Sequence, residues 1–222
     1  LRWIDDEKID WLCNTFCIAP DWMDGERNTR PHDGFYFNKD PKRFYETITE
    51  ELKREPNSLG NERAKTLFMI DSDKNGAEQD TTVRLLLAIA IPLYRLSNEV
   101  TVYRYLFDDV GGGYPWNDPP YHKHLRVVAR LCYQHFHFET WGVGFPHAEF
   151  EAIAEGELFI PEVLQKPGRH HALWHPEDYC LAASESAVAQ ETETLVPLLE
   201  WMDSEGLPTS QRYSGAPIDS EK

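Results

Sequence analysis

Thr66–Ile70 reads TLFMI, an apolar run without a polar face that is closed at once by Asp71. A run so short and so uniformly apolar suits a strand covered on both sides, as in sheets sandwiched between helices. Val100–Phe107 (VTVYRYLF), rich in β-branched and aromatic residues, reads as a second strand. Phe136–Val143 and Glu157–Ile160 read as a third and a fourth. Helices are expected between them: over 77–97 with a bend near Pro92, over 121–135 through Leu125, Val128 and Leu131, and over Ala148–Ala154, ended by Gly156. Strands alternating with helices predict an α/β fold: three layers, a mostly parallel sheet and helices on both faces.

This core spans residues 63–165. Residues 1–62 form an N-terminal helical extension. Its first helix, Asp5–Cys17, can place Ile4, Trp11, Leu12 and Phe16 on one face and is stopped by Pro20. After a loop over 20–41, Asp40-Pro41 opens a second helix reaching about Glu55, with Phe44, Ile48 and Leu52 at helical spacing. Residues 166–222 hold a His/Trp loop (RHHALWHPEDYC), a helix near 189–203 and an acidic tail.

Apolar residues make up 41% of the 222 and aromatics 13%, too much for a chain that stays unfolded. The net charge of −16 repels phosphate backbones, which argues against nucleic acid as a partner and favours cations or proteins. The longest apolar run, Leu85–Tyr94, is broken by Pro92 and too short to span a bilayer, so no membrane partner is expected. Asp5, Asp6, Glu7 and Asp10 stand where a secretory leader would be apolar, and the four Cys show no tight pairing. A cytoplasmic location follows as the expectation.

Sites in open α/β sheets gather at the carboxyl ends of strands. TLFMI runs into Asp71-Ser-Asp73-Lys-Asn75-Gly76, and the next strand ends at Asp108-Asp109. Asp71, Asp73, Asn75 and Asp108 offer hard oxygen donors, so a divalent cation, Mg²⁺ first, is the expected cofactor. Turn formation and helix capping use the same residue types and explain them without a metal. An EF-hand loop is excluded, because Thr82 occupies the position of the bidentate Glu. The loop after Asp108 carries Asp109, Tyr114, Trp116 and Tyr121, candidate contacts for a protein partner, and Gly111–Gly113 as a hinge. Zinc is disfavoured: His171 and His175 are four apart, but Pro176 and the absence of tight Cys pairs speak against a closed site.

The stretch FHFETWGVGFPHAEFEAIAEGELFIPEV, with Gly142-Val143-Gly144 after a strand, resembles the late part of a von Willebrand factor A-like domain. The likeness covers about 100 residues. In that resemblance Asp71-Ser72-Asp73-Lys74-Asn75 takes the place of the Asp-x-Ser-x-Ser metal loop, and Asp108 that of a metal-binding Asp. Only 36 residues lie between Asp71 and Asp108, so the resemblance implies a reduced domain. It implies a non-catalytic module that binds a protein. Asp71-Ser-Asp73-Lys-Asn-Gly76 is also similar to the Asp-x-Asp-x-x-Gly element of Toprim-like enzymes, which implies Mg²⁺-dependent phosphoryl transfer or strand cleavage. A scaffold without a site is the third reading. The interaction module leads. A further carboxylate near Asp71 and Asp73, to activate water or hold a second metal, together with an open substrate cleft, is what separates an enzyme from it.

Overall fold

The computed structural model describes residues 5–25, 34–35, 40–54, 62–72, 83–97, 100–108, 113–115, 118–165, 171–176 and 195–209. Helix α1 (Asp6–Phe16) begins where Asp5 accepts a hydrogen bond from the Lys8 amide, and it ends at Cys17 in the left-handed region (φ 53°). A short α2 (Pro20–Met23) and strand β1 (Gly34–Phe35) follow. Helix α3 (Pro41–Arg54) starts as its sequence predicts. Pro41 takes the first position, and Asp40 Oδ1 accepts from the amides of Lys42 at 3.0 Å and Arg43 at 3.1 Å. Asp40→Ala should cost about 1 kcal/mol in urea unfolding, with an unchanged m-value.

Strand β2 (Lys65–Asp71) and strand β4 (Thr101–Asp108) fall where they are expected. Between them the expected helix over 77–97 is replaced by strand β3 (Arg84–Arg95). Leu85 through Ile91 are buried without a gap. A strand covered on both faces shows no alternation, and its Leu and Ala residues fit a buried helix equally well. Pro92 does not bend a helix. It sits beside a register shift between Pro92 and Tyr94 in the β3–β4 pairing, the kind of irregularity where a strand accepts proline.

Strand β5 (Tyr114–Pro115) lies within the expected Gly/Pro loop. Gly113 there adopts φ +88°, and a Cβ on it would meet the Leu85 carbonyl oxygen at 3.1 Å. It works as a point of close approach between β5 and β3. Helix α4 (Pro119–Arg130) runs into a π-helical turn at Leu131–His135, where the Phe136 amide reaches the Leu131 carbonyl at 2.8 Å. That turn delays the next strand to β6 (Glu139–Phe145), which the sequence places over 136–143. Helix α5 (His147–Ala154) follows almost at once. The strand expected at Glu157–Ile160 is absent. Ile160-Pro161 instead opens α6 (Ile160–Gln165), with proline in the first turn of a helix. The His/Trp loop contains strand β7 (His171–Trp174), and α7 (Leu195–Ser204) overlaps the predicted helix near 189–203.

The strands form one mixed sheet in the order β1-β4-β3-β2-β6-β7, with β5 beside β3. Its β2–β6 and β1–β4 pairs are parallel. The β2–β3, β3–β4, β3–β5 and β6–β7 pairs are antiparallel. The sheet is therefore not mostly parallel, because β3 returns directly between β2 and β4 where a helical crossover was expected. Successive side chains point to opposite faces. Phe68, Leu85, Leu87 and Leu106 pack in one cluster with Phe44 and Ile48 of α3, Leu125 of α4 and Met202 of α7. Leu67, Met69, Leu86 and Phe107 pack in a second cluster with Phe150 and Ile153 of α5 and Ile160 of α6. Among the described residues no helix is long and apolar enough to cross a membrane.

Candidate functional site

The site follows from two strand registers. In the parallel β2–β6 pair Asp71 stands opposite Phe145, and α5 begins two residues later with His147. In the antiparallel β2–β3 pair Ile70 stands opposite Leu85, so Arg84 arrives beside Asp71. Alternation puts Arg84 on the face of Leu86, and Asp71 on the face of Met69. Glu151 lies one helical turn beyond His147, on the same face of α5. Ser72 Oγ donates to the Phe145 carbonyl at 2.8 Å and holds the carboxyl ends of β2 and β6 together.

The side chains meet there. His147 Nδ1 lies 2.7 Å from Asp71 Oδ2 and 3.6 Å from Glu151 Oε1. The Arg84 guanidinium contacts Glu151, lies 4.0 Å from Asp71 Oδ2, and rests over the Phe150 ring at 5.2 Å. Asp71 is fully buried (0% exposed), whereas the His147 side chain is 49% exposed. An ionised carboxylate at that depth is tolerated only with compensation, which Arg84 and His147 supply. The donor atoms of Asp71, His147 and Glu151 all lie within 4.8 Å of one another, close enough to hold one metal ion. One nitrogen and two carboxylates, open to solvent on the His147 side, match a site with three protein ligands and a free coordination position. Imidazole shifts the preference from Mg²⁺ towards Mn²⁺, Fe²⁺ or Zn²⁺.

Of the described residues expected to hold a cation, Asp71 stands in this cluster and Asp108 does not. Asp73 and Asn75 lie outside the described residues. Asp108 is not brought to Asp71. Strand β3 lies between their strands, and the two side chains leave opposite faces of the sheet: Leu106, two residues before Asp108, packs with the α3/α4/α7 cluster. Asp108 is fully buried there and accepts a hydrogen bond from the Tyr114 hydroxyl at 2.5 Å. Neighbouring parallel strands were expected to bring the two acids together, and an intervening antiparallel strand cannot.

Among the expected partner contacts, Tyr114 is buried (1% exposed) and Tyr121 packs partly buried against the same cluster. Their rings lie 5.7 Å apart. Asp109 and Trp116 lie outside the described residues. His147 and Glu151 are absent from the sequence-derived set. The signal that points to them is a His and a Glu four residues apart in the first turns of a helix that directly follows a strand, HAEFE after TWGVGFP.

Elsewhere, the Tyr103 hydroxyl hydrogen-bonds Glu62 at 2.5 Å, and Arg95 lies 3.0 Å from the same carboxylate. The Tyr103 hydrogen bond, more than the neighbouring cations, holds the Glu62 carboxyl below its usual range. Burial first, and Glu62 second, push the Tyr103 phenol well above its ordinary value. This group braces β4 against the segment entering β2, away from Asp71. Comparison with protein-family models, with curated proteins and with solved structures gave no match to this chain.

Proposed function

We propose that the chain is a hydrolytic enzyme dependent on a divalent transition metal, with Asp71, His147 and Glu151 as the metal-binding side chains. One observation carries the reading: three donor atoms of mixed type within 4.8 Å of one another at the joined carboxyl ends of β2 and β6. A binding module has no need of a further carboxylate and an imidazole beside Asp71. An enzyme does. A divalent cation held there supplies Lewis-acid polarisation and lowers the pKa of a coordinated water. Asp71, deep and anchored on a strand, fixes the position of the ion. His147 and Glu151 of α5 would be its other two protein ligands.

Calorimetric titration of the full chain with Mn²⁺, Zn²⁺ and Mg²⁺ tests the site. Mn²⁺ and Zn²⁺ are expected to bind at least about tenfold more tightly than Mg²⁺, and His147→Ala to erase that preference. Equal binding by wild type and His147→Ala removes imidazole from the site and, with it, this reading.

A protein-interaction module, reduced and resembling a von Willebrand factor A-like domain, is the second reading. It is favoured by the exposed Tyr94, Leu96 and Val100 at the β3–β4 turn. It expects cation binding without turnover.

A further inference from the structure

Residues 9–25 and 131–165 contain no lysine or arginine. The fold joins these two stretches through a pair of rings. Trp22 of α2 stacks on Phe159, in the link between α5 and α6, with centroids 5.9 Å apart and planes 18° from parallel. Asp21 and Asp24 stand beside Trp22 in sequence, and Glu157 and Glu162 beside Phe159; all four are exposed. Trp22 keeps 37% of its surface open and its neighbour Met23 38%. Helix α1, which packs against α2, adds the exposed Trp11 and an acidic first turn of Asp6 and Glu7. Lys8, the one base within residues 5–25, is held by Asp5.

A single exposed apolar side chain needs no explanation. Here an exposed indole is braced from behind by a second ring, and the nearby acids come from two separate segments. A merely apolar partner would bury part of those carboxylates without counter-ions. A guanidinium satisfies both features: it stacks on an indole face and donates a forked pair of hydrogen bonds to a carboxylate. We propose that the Trp22–Phe159 face is a docking surface for an arginine-bearing basic segment of a partner protein. It is independent of the metal site. The net charge of −16 works against a second copy of this chain as the occupant and favours a cationic partner.

The test uses the full chain and three labelled short peptides: one of Arg and Leu, and its Lys/Leu and Glu/Leu counterparts. Fluorescence anisotropy should show binding of the Arg/Leu peptide, weakening as salt is raised. The Lys/Leu peptide should bind at least about fivefold more weakly, and the Glu/Leu peptide not at all. Trp22→Ala should weaken the Arg/Leu complex about tenfold, and Trp22→Phe, which keeps a ring, should recover part of that loss. Asp21→Asn/Asp24→Asn, at exposed positions that spare the fold, should cost about tenfold as well. Glu200→Gln/Asp203→Asn removes the same charge from exposed positions on α7 and should leave the affinity unchanged. Equal losses from the two charge pairs would reveal diffuse attraction and overturn the proposal. So would an Arg/Leu peptide that fails to bind, or that binds folded Trp22→Ala as it binds wild type. Sedimentation that finds a dimer abolished by Trp22→Ala would assign the face to a second copy and overturn it too.

Discussion

Asp71→Asn is expected to weaken Mn²⁺ binding on the order of 100-fold or more and to abolish any metal-dependent turnover. The reasoning is positional as well as chemical. Asp71 is the one member of the cluster with no exposure to solvent, and it is held by the β2–β6 register rather than by a flexible chain end. Changes to the partners that merely orient metal ligands already cost 10–100-fold in metal affinity, so loss of a buried ligand belongs at or beyond the upper end. The amide keeps the volume of the carboxylate and one acceptor oxygen while removing its charge and replacing the other oxygen by an NH2 donor. Fold stability should therefore change much less than metal affinity. Calorimetry with circular dichroism on the same samples reads both quantities. Unaltered Mn²⁺ affinity in a folded Asp71→Asn protein would show that the cation, if any, sits elsewhere.

The largest effect on stability should come from Phe150→Ala. Phe150 is fully buried, belongs to the cluster shared by β2, β3 and β6, and carries Arg84 over its ring. Truncating a buried phenylalanine to alanine costs about 3–5 kcal/mol, from lost transfer energy and from the cavity left behind. For a domain of ordinary stability that is a large share of the total. Urea unfolding should show a lowered midpoint. Because Phe150 sits between His147 and Glu151 in sequence, the variant that remains folded should also bind Mn²⁺ more weakly, through loss of a rigid base for α5. A cost below about 1 kcal/mol would mean that α5 is not seated on the sheet in this way.

How far the sequence discloses this molecule differs from element to element. Helix α3 is legible because a start signal, Asp40-Pro41, and a spacing, Phe44, Ile48 and Leu52, agree with each other. Strand β2 is legible because its run is too short to be a helix. Strand β3 is not, since a long strand buried on both faces shows no period of two, and Leu and Ala bias the reading towards a helix. That single exchange carries through to the site. With a helix between β2 and β4, Asp71 and Asp108 are neighbours at one sheet edge. With a strand there, they part. Asp71 was legible from its place at a strand end. His147 and Glu151 were not, because their nearness to Asp71 depends on β6 lying parallel to β2 in one particular register, which local pattern does not encode.

Two fully buried carboxylates, Asp71 and Asp108, thus stand back to back with one sheet as the wall between them. Asp71 meets His147 of α5 and Arg84 of β3, and Asp108 meets Tyr114 of β5. The wall is not inert, because β5 pairs Tyr114 with Leu85 and Pro115 with Arg84, the residue that reaches round to Asp71 and Glu151. A substitution that shifts β5 should therefore be felt at the acid on the far side, through the backbone of β3.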